Sequence, residues 1–499
     1  MKKLYFLFLI LFISDSAFSQ DYGNSWINYN QQYFKVKIWQ EGIYRINRQT
    51  LLFAGIPVSS LDPRKIQMYR NGEEQFIYLE GESDGVFDNN DFIEFYGTKN
   101  DGFLDKSLYA DSTKHANANY SLCTDTAIYF ITWTNTINGK RLTVQNNTNF
   151  SAFSPATYFT KETYIEQVSG YNRGSDDKSI EYEESEGWSG VFGNYSCAQH
   201  PLTITANTAN IYTSGPNIEI KTAIAGVNNN QHNINISFPG TNFSDINFVQ
   251  ELNNYTFSLA PSTFGSANTS FLYDVTTPLD CNIPDYSSFY WLSIKYPHTY
   301  DLENGSVFKM YVQDDVQGKT RMDINNFNGG SSAPIMYDLT NHKRITVAAS
   351  GSTFQALVDN DGLSEPKVCF ISSASLIQTI AAVSGINYVS NNFGYFNNYL
   401  QSPNVKDSAF IIVSHKLLWS QALAYKAYRD ITTSGKVLLC DIEELYDQFA
   451  YGTQKHPFSI KNFSRFLLDN WTSVAPPQHL FLLGKSISPA DFRQNPALF

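Results

Sequence analysis

Four acidic residues within a short stretch, Asp84, Asp88, Asp91 and Glu94, form the strongest candidate for a metal site in the sequence. Calcium takes about six to eight oxygen ligands in flexible geometry, so a loop with these carboxylates could supply several of them. The spacing differs from that of an EF-hand loop, and a solvated turn between strands is the simpler interpretation. Calcium is therefore the one candidate cofactor, and the sequence indicates no cofactor that is required.

Cysteine gives a weaker chemical signal. The five cysteines are widely spaced, without a Cys-x-x-Cys pair or a histidine close by in sequence: Cys123, Cys197, Cys281, Cys369 and Cys440. This spacing disfavours a metal site built from them. An odd number leaves at least one thiol unpaired, and an oxidising compartment permits disulfides without requiring them. Isolated buried cysteines are the simpler expectation.

His415 and Cys440 could be considered as a thiol–imidazole dyad. Both lie at the carboxyl ends of predicted parallel strands, where α/β sheets place their sites. We favour structural roles for both residues.

The first residues indicate export. Lys2 and Lys3 precede an apolar run at residues 4–13 and then small residues up to Ser19. This pattern predicts a signal peptide at residues 1–19 and places the mature protein in the periplasm, at the outer-membrane surface or outside the cell. The apolar run is shorter than the roughly 20 residues of a membrane-spanning helix, and no later stretch approaches that length.

The charge balance disfavours nucleic acid as a partner. The formal net charge is -12 at neutral pH, and the lysine and arginine residues form no cluster. Phosphate binding requires a concentrated basic surface.

Short alternating apolar runs predict an all-β, β-sandwich-like region from about residue 22 to residue 346. Examples of these runs are residues 33–39, 127–133, 233–238 and 289–296. The length and the pattern predict two β-rich domains, at residues 20–130 and 131–360, with a boundary near residues 110–150.

After about residue 362 the pattern changes to apolar runs that alternate with helical periods. Residues 367–372, 408–414, 437–440 and 479–483 are predicted as strands. A helical stripe of Leu418, Ala422, Tyr425, Tyr428 and Ile431 separates two of them, and two further helices follow residue 441. Alternating strands and helices of these lengths predict an α/β domain with an open parallel sheet at residues 363–499.

Five blocks in this last region resemble the gingipain-type, caspase-like cysteine peptidases in order and spacing: residues 409–415, 422–435, 441–452, 457–463 and 480–484. Four upstream phrases resemble the sortase-like branch of this family in the type IX secretion system of Bacteroidetes-type bacteria: residues 42–46, 84–97, 186–188 and 337–340. The resemblance implies a multidomain protein, with the β-sandwich-like region followed by a partial caspase-like α/β domain.

The resemblance also implies a cysteine peptidase that processes or sorts exported proteins. Its partners would be protein or peptide substrates and components of the outer-membrane secretion apparatus. In the family, the catalytic histidine and cysteine follow the strand that corresponds to residues 480–484, so we expect both to lie beyond Phe499 and assign no catalytic residue here. Lys485 also replaces the family's aspartate after that strand. This chain alone is expected to be inactive.

A second hypothesis belongs to another class of protein. The abundance of Tyr and Phe is compatible with a non-catalytic cell-surface module whose β domains bind a polymer or a partner. Aromatic residues also fill β-sheet cores, and that is their more common use.

Overall fold

The computed structural model describes residues 21–173, 181–228, 231–248, 250–265, 267–386 and 393–495. The predicted signal peptide lies outside the described residues. The elements up to residue 150 are β1 Phe34–Ile38, β2 Gly42–Asn47, α1 Arg48–Phe53, β3 Ile66–Arg70, β4 Glu73–Glu74, β5 Tyr78–Leu79, β6 Phe92–Gly97, β7 Ala127–Trp133 and β8 Thr143–Gln145.

The next region consists of strands joined by short connections. These are β9 Phe159–Glu166, β10 Gly170–Asn172, β11 Gly187–Tyr195, β12 Ala198–His200, β13 Leu202–Asn207, β14 Ile218–Gly226, β15 His232–Phe238, β16 Thr241–Asn247, β17 Leu252–Leu259, β18 Asn268–Val275, β19 Asp285–His298, β20 Asp301–Gly305, β21 Val307–Val312, β22 Lys319–Phe327, β23 Ile335–Asp338, β24 Lys343–Thr346, β25 Ala348–Ser350 and β26 Thr353–Asp359.

The last region combines strands with helices. It contains β27 Lys367–Ser372, β28 Gln378–Thr379, β29 Ser384–Gly385, β30 Phe410–Ser414, α2 Trp419–Thr432, β31 Val437–Asp441, α3 Ile442–Phe449, α4 Phe458–Asn470, β32 His479–Leu483 and α5 Pro489–Gln494. Among the described residues no helix is long and apolar enough to span a membrane.

The alternating apolar pattern produces strands with one buried face, as predicted. In β15, His232, Ile234, Ile236 and Phe238 are buried and the residues between them are half-buried. A side-chain period of two places these four on one face of the sheet, where Ile234, Ile236 and Phe238 join a core of aliphatic and aromatic side chains.

The first two sheets pack on each other in a β-sandwich-like arrangement. One has the strand order β29-β1-β7-β3-β4 and the other β28-β2-β6-β5. Their shared core contains Phe34, Ile46, Met68 and Phe95, together with Ile380 from the far end of the β-rich region. Strands from residues 378–385 therefore complete sheets that begin at residue 34.

A twelve-stranded sheet organises the rest of the β-rich region. The four-stranded sheet β13-β18-β15-β16 and a core around Phe271 and Leu292 cover one part of it. The four-stranded sheet β20-β22-β26-β25 and a core around Met322 and Ile371 cover another. The all-β, sandwich-like prediction for the region is confirmed, whereas the domain boundaries remain predictions.

The strand Lys367–Ser372, β27, corrects one sequence-based assignment. We predicted it as the first strand of the parallel sheet, but it pairs antiparallel with both β21 and β23 inside the twelve-stranded sheet. Cys369 and Ile371 face one core and Phe370 faces another. A central strand covered on both faces has the same continuous apolar sequence as a strand of a parallel sheet, which explains the error.

The predicted parallel sheet begins at β30. Its strand order is β31-β30-β32, and both pairings are parallel. Helices α3 and α4 cover one face around Phe449, Phe463 and Leu467. Helix α2 lies on the other face, where Tyr425 packs against a small group of buried residues, Phe410, Ile412 and Val437.

The predicted apolar stripe of α2 is only partly buried. Ala422 is buried, but Tyr428 and Ile431 are 59% and 83% exposed. The α/β assignment of residues 408–484 is confirmed, whereas the inward orientation of the whole stripe is wrong. Within the described residues this face buries only a small group of side chains, so the C-terminal part of the stripe stays exposed.

Candidate functional site

The carboxyl ends of the three parallel strands lie at one edge of the sheet, where open α/β folds place their ligands. Ser414, Asp441 and Leu483 end β30, β31 and β32 in matching register. The Ser414 hydroxyl donates to the Leu483 carbonyl at 3.2 Å and joins two of the strand ends. This edge is the candidate functional site.

Asp441 caps the helix that follows its strand. Its Oδ1 accepts a hydrogen bond from the Glu443 backbone N–H at 3.1 Å, as expected of an aspartate at a helix N-cap. Its Oδ2 is buried and accepts no hydrogen bond within the described part of the chain. Burial raises the pKa of Asp441 to about 6 and the Glu443 charge adds to the rise, whereas His415 and Lys416 oppose it.

Glu444 brings a second buried carboxyl group to the site from the first turn of α3. It accepts a hydrogen bond from the Asn397 backbone N–H at 2.6 Å. Burial raises the pKa of Glu444 to about 7, and the charges of Asp441 and Asp447 contribute further. Both carboxyl groups therefore titrate near neutral pH, as acidic groups at functional sites often do.

A cavity of about 390 Å³ opens beside these two carboxyl groups. Its walls come from α3 and β31, from residues 396–404, from Trp419 at the start of α2, and from Tyr29 and Asn30 of the N-terminal region. Sequence reasoning placed Asp441 and Glu444 within a family block and assigned no role to either. The available signal was an acidic N-cap directly after a buried strand.

The surroundings of His415 and Cys440 favour structural roles over a reactive pair. His415 Nδ1 accepts a hydrogen bond from the Leu417 backbone N–H, and its Nε2 lies 3.5 Å from Glu443 Oε1. Cys440 is buried, and burial raises the pKa of its thiol well above the ordinary value. A buried thiol that resists ionisation is a poor nucleophile.

The predicted calcium ligands are only partly brought together. Asp84 and Asp88 are exposed, and the carboxylate of buried Asp91 accepts the Asp88 backbone N–H at 2.7 Å. Glu94 has a different task, because Arg45 and Arg344 bind its carboxylate at 2.7 Å and 2.9 Å. Calcium binding by Asp84, Asp88 and Asp91 remains a prediction. The Glu94 carboxylate is already bound by the two arginines and by the Tyr337 hydroxyl, which donates a hydrogen bond to it.

One group of potential metal ligands was missed by the sequence analysis. Asp105, Cys123 and His456 are buried, and within the described ranges they alone form a cluster of three donor atoms within 4.8 Å of one another. No sequence signal could have found them, since 351 positions separate Asp105 from His456.

The hydrogen bonds of His456 favour a structural role over metal binding. The Phe458 backbone N–H donates to Nδ1 at 3.1 Å, so the single proton of the neutral ring is on Nε2, which lies 3.0 Å from Asp105 Oδ1. A metal ion bound to Nε2 would require the ring proton to be on Nδ1. There it would face the Phe458 backbone N–H, and the hydrogen bond between them would be lost. The His456–Asp105 hydrogen bond instead connects the α/β region to the N-terminal β region.

Two of the five cysteines, Cys197 and Cys281, form a disulfide. The other three, Cys123, Cys369 and Cys440, are free and buried. The expectation of isolated buried cysteines is therefore correct for three residues and wrong for two. Since 84 positions separate the bonded pair, sequence spacing gave no sign of it.

The comparisons with known proteins agree with this architecture. Residues 404–495 match the model of peptidase family C25, the gingipain family. The crystal structure of dimeric latent PorU from Porphyromonas gingivalis is similar over 90% of this chain and 41% of that chain, with 14% sequence identity and a TM-score of 0.55. This chain thus spans about two-fifths of the length of that protein. The gingipain-type resemblance and the fold class are confirmed.

Other solved structures match smaller parts of the chain. A CBM36-1 domain of a multidomain xylanase from the hindgut metagenome of Trinervitermes trinervoides is 13% identical over 27% of this chain and 96% of that chain, with a TM-score of 0.17. A CBM36 carbohydrate-binding module in complex with calcium and xylotriose is 12% identical over 26% of this chain and 98% of that chain, also with a TM-score of 0.17. Such scores carry no functional argument. No curated protein matched significantly.

Proposed function

We propose, from a C-terminal region related to the gingipain peptidases, that this chain is the N-terminal portion of a secreted cysteine peptidase that processes or sorts proteins exported by the type IX secretion system. The observation that carries the proposal is the family match at residues 404–495. Within those residues lies a parallel sheet whose carboxyl edge bears buried acidic groups.

In this proposal the chain supplies the scaffold and one edge of the catalytic domain. The nucleophilic cysteine, and the histidine that accepts its proton, belong to a part of the parent protein C-terminal to Phe499. His415 and Cys440, which lie at this sheet edge, have structural roles. The 499-residue chain is then inactive by itself.

Two observations support an exported protein. Residues 1–19 have the composition of a signal peptide. The Cys197–Cys281 disulfide suits an oxidising compartment such as the periplasm or the cell surface. The partners in this proposal are protein or peptide substrates and components of the outer-membrane secretion apparatus.

Deletion of the gene in its source bacterium tests the biological role. We expect exported proteins to accumulate in uncleaved form in the outer-membrane fraction, as mass spectrometry of their termini would show. Complementation with the complete gene should restore cleavage, and complementation with the codons for residues 1–499 should not. Normal processing in the deletion strain would remove the proposed role.

The alternative role as a polymer-binding module receives no support from the placement of the aromatic residues. The largest fully buried side chains in the described residues are all tyrosines and phenylalanines, among them Tyr129, Tyr290 and Phe130. Their burial explains the aromatic composition through core packing.

A further inference from the structure

A short helix, α5, follows the third strand end of the candidate site. Residues 484–488 connect Leu483, at the carboxyl end of β32, to Pro489 at the start of α5. Ser488 caps the helix by accepting the Asp491 backbone N–H at 3.1 Å, and Pro489 has the φ angle that the first helical position needs. These signals specify where α5 starts, but a helix of 6 residues is unstable by itself in water. Contacts with the rest of the protein must therefore stabilise it.

One of these contacts is apolar and joins α5 to the β-rich region. Ala490 is buried in a cluster with Tyr109, Leu122, Cys123 and Trp188. All four of these partners belong to the β-rich region, and we call them the socket of α5. Because the alanine side chain is a single methyl group, its burial alone stabilises the helix little. A second contact must hold α5 in the socket.

Arg493, in the last turn of α5, supplies that contact. Its Nε donates a hydrogen bond to the Tyr120 hydroxyl at 2.9 Å, and its Nη2 forms an ion pair with Asp125 Oδ1 at 2.7 Å. The guanidinium carbon lies 3.8 Å from the centroid of the Tyr120 ring, and the arginine side chain is only 8% exposed. Arginine suits this place because its planar group can bind a carboxylate and contact an aromatic face at the same time.

The ion pair of Arg493 belongs to a larger charge network of the β-rich region. Lys99 Nζ lies 3.3 Å from Glu166 Oε1 and 4.0 Å from Asp125 Oδ1. The four groups therefore alternate in sign, with Arg493 at one end and Glu166, the last residue of β9, at the other. Without Arg493, one lysine would face two carboxylates, so docking of α5 balances the charge of the network.

Strand β32, which precedes α5, is held less firmly than its neighbours in the parallel sheet. Among the described residues it pairs with β30 alone, and its Leu480 and Leu482 side chains are 43% and 51% exposed. The Leu483 carbonyl at its end accepts the hydrogen bond from the Ser414 hydroxyl across the candidate site. Strands with few buried contacts open easily, so the position of this strand end depends on what holds the chain beyond it.

We propose that α5 is a strap that folds only when it docks in its socket, and that Arg493 is the anchor through which the strap holds the end of β32 at the candidate site. The strap has two states, one docked and helical, the other released and unfolded, because the helix is too short to persist alone. Arg493 is a positioning residue, since it acts on the strand end through residues 484–489. The inference does not depend on peptidase activity and is tested separately from the proposed function.

Hydrogen exchange of the full chain, measured by mass spectrometry, tests the strap. In wild type we expect the amides of α5 and β32 to be protected. Arg493→Ala should release α5 and speed exchange in β32 by about tenfold or more, as expected for loss of a charged hydrogen bond, while β31 changes by less than about twofold. Arg173→Gln is the matched control, because it removes an exposed ion pair with Asp491 of the same helix, at 3.8 Å, and should change β32 by less than about twofold.

Two further variants separate the charge of the anchor from its bulk. Arg493→Lys keeps a cation beside Asp125 and should retain part of the β32 protection, whereas Arg493→Met keeps only the apolar chain and should behave like Arg493→Ala.

Limited proteolysis with trypsin gives a second measurement from the other side of the ion pair. Asp125→Asn leaves Arg493 in the chain but removes the carboxylate that binds it. Trypsin needs an accessible arginine, so we expect cleavage after Arg493 to be at least about fivefold faster than in wild type, in proportion to the released fraction.

Three results would overturn the proposal. The first is exchange of the wild-type α5 amides as fast as in an unfolded peptide, which would mean that the helix does not dock. The second is release of α5 in Arg493→Ala with unchanged exchange in β32, which would mean that the strap does not hold the strand. The third is equal protection of β32 in Arg493→Lys and Arg493→Met, or unchanged trypsin cleavage in Asp125→Asn, which would mean that the ion pair is not the anchor.

Discussion

The two faces of the parallel sheet differ in how fully they are covered. On one face, Leu445, Phe449, Phe463 and Phe466 from α3 and α4 form a continuous buried core with the sheet. On the other face only a small group is buried beneath α2. Ile431 at the end of α2 stays 83% exposed.

The well-covered side of the sheet is also the side that meets the β-rich region. Lys35 of β1 forms a buried ion pair with Asp447 of α3 at 2.8 Å. Gln448 of α3 donates to the Tyr29 hydroxyl at 2.7 Å, and His456 contacts Asp105. Stability in the α/β region should therefore depend on α3, α4 and their contacts to the β-rich region far more than on α2.

The largest expected effect comes from removing an aromatic side chain of the α3–α4 core. Phe463 is fully buried, and Phe463→Ala should destabilise the region by about 3–5 kcal/mol through lost burial and a cavity. Hydrogen exchange of the β30 and β31 amides would report the change. Tyr428→Ala on α2, the matched control, should alter exchange by less than about 0.5 kcal/mol. Equal effects of the two variants would contradict the asymmetry.

Breaking the ion pair between the regions should have the next largest effect. Lys35→Met keeps the aliphatic packing but leaves the Asp447 carboxylate buried and unpaired, at a cost of about 3–4 kcal/mol. Chemical denaturation, monitored by hydrogen exchange of the α3 backbone amides, would measure the loss of stability. The double variant Lys35→Met/Asp447→Leu should recover most of it. If the double variant is as unstable as the single one, charge burial is not the cause.

The pH dependence of the free energy of unfolding tests the buried carboxyl group of Glu444, on the cavity side of α3. The pKa of Glu444 is raised from 4.5 to about 7, so the folded state holds its proton more tightly than the unfolded state. The resulting stabilisation is present below about pH 4.5 and is lost as pH rises through 7, by up to about 3 kcal/mol in chelator.

Glu444→Gln should remove most of this pH dependence. The variant should gain stability relative to wild type at pH 8 and match it at pH 4, in thermal melts run with chelator. A residual slope of the same sign should remain, because the pKa of Asp441 is also raised, to about 6. A variant that keeps the full wild-type slope would show that Glu444 is not its source.

The smallest effect is expected on the exposed side of α2. Ile431→Lys exchanges an 83% exposed apolar residue for a cation near a helix C-terminus, which should change the free energy of unfolding by less than about 0.5 kcal/mol. Chemical denaturation measures it. A loss above about 1 kcal/mol would mean that this stretch of α2 is covered in solution, and the contrast between the two faces would disappear.

Local sequence patterns predicted the type of most elements. The alternation in β15 and the uninterrupted apolar run of β30 each led to the correct strand, and Pro457 correctly marked the start of α4. These predictions succeeded because period and terminal residues reflect which face of an element is buried.

Features that depend on distant residues could not be predicted from the sequence. The run in β27 indicated burial on both faces, yet only its neighbours β21 and β23 decide that the pairing is antiparallel. In the sequence Glu94 resembled a calcium ligand, but in the fold its carboxylate binds Arg344, which is 250 positions away.

The return of β28 and β29 to the first two sheets sets the order in which this protein can fold. Strands β1 and β2 start at residues 34 and 42, yet their outer neighbours are residues 384–385 and 378–379. Both edges remain open until strands more than three hundred positions later in the chain have joined them. The first sandwich therefore closes late, and an N-terminal segment cut before residue 378 would expose two strand edges to self-association.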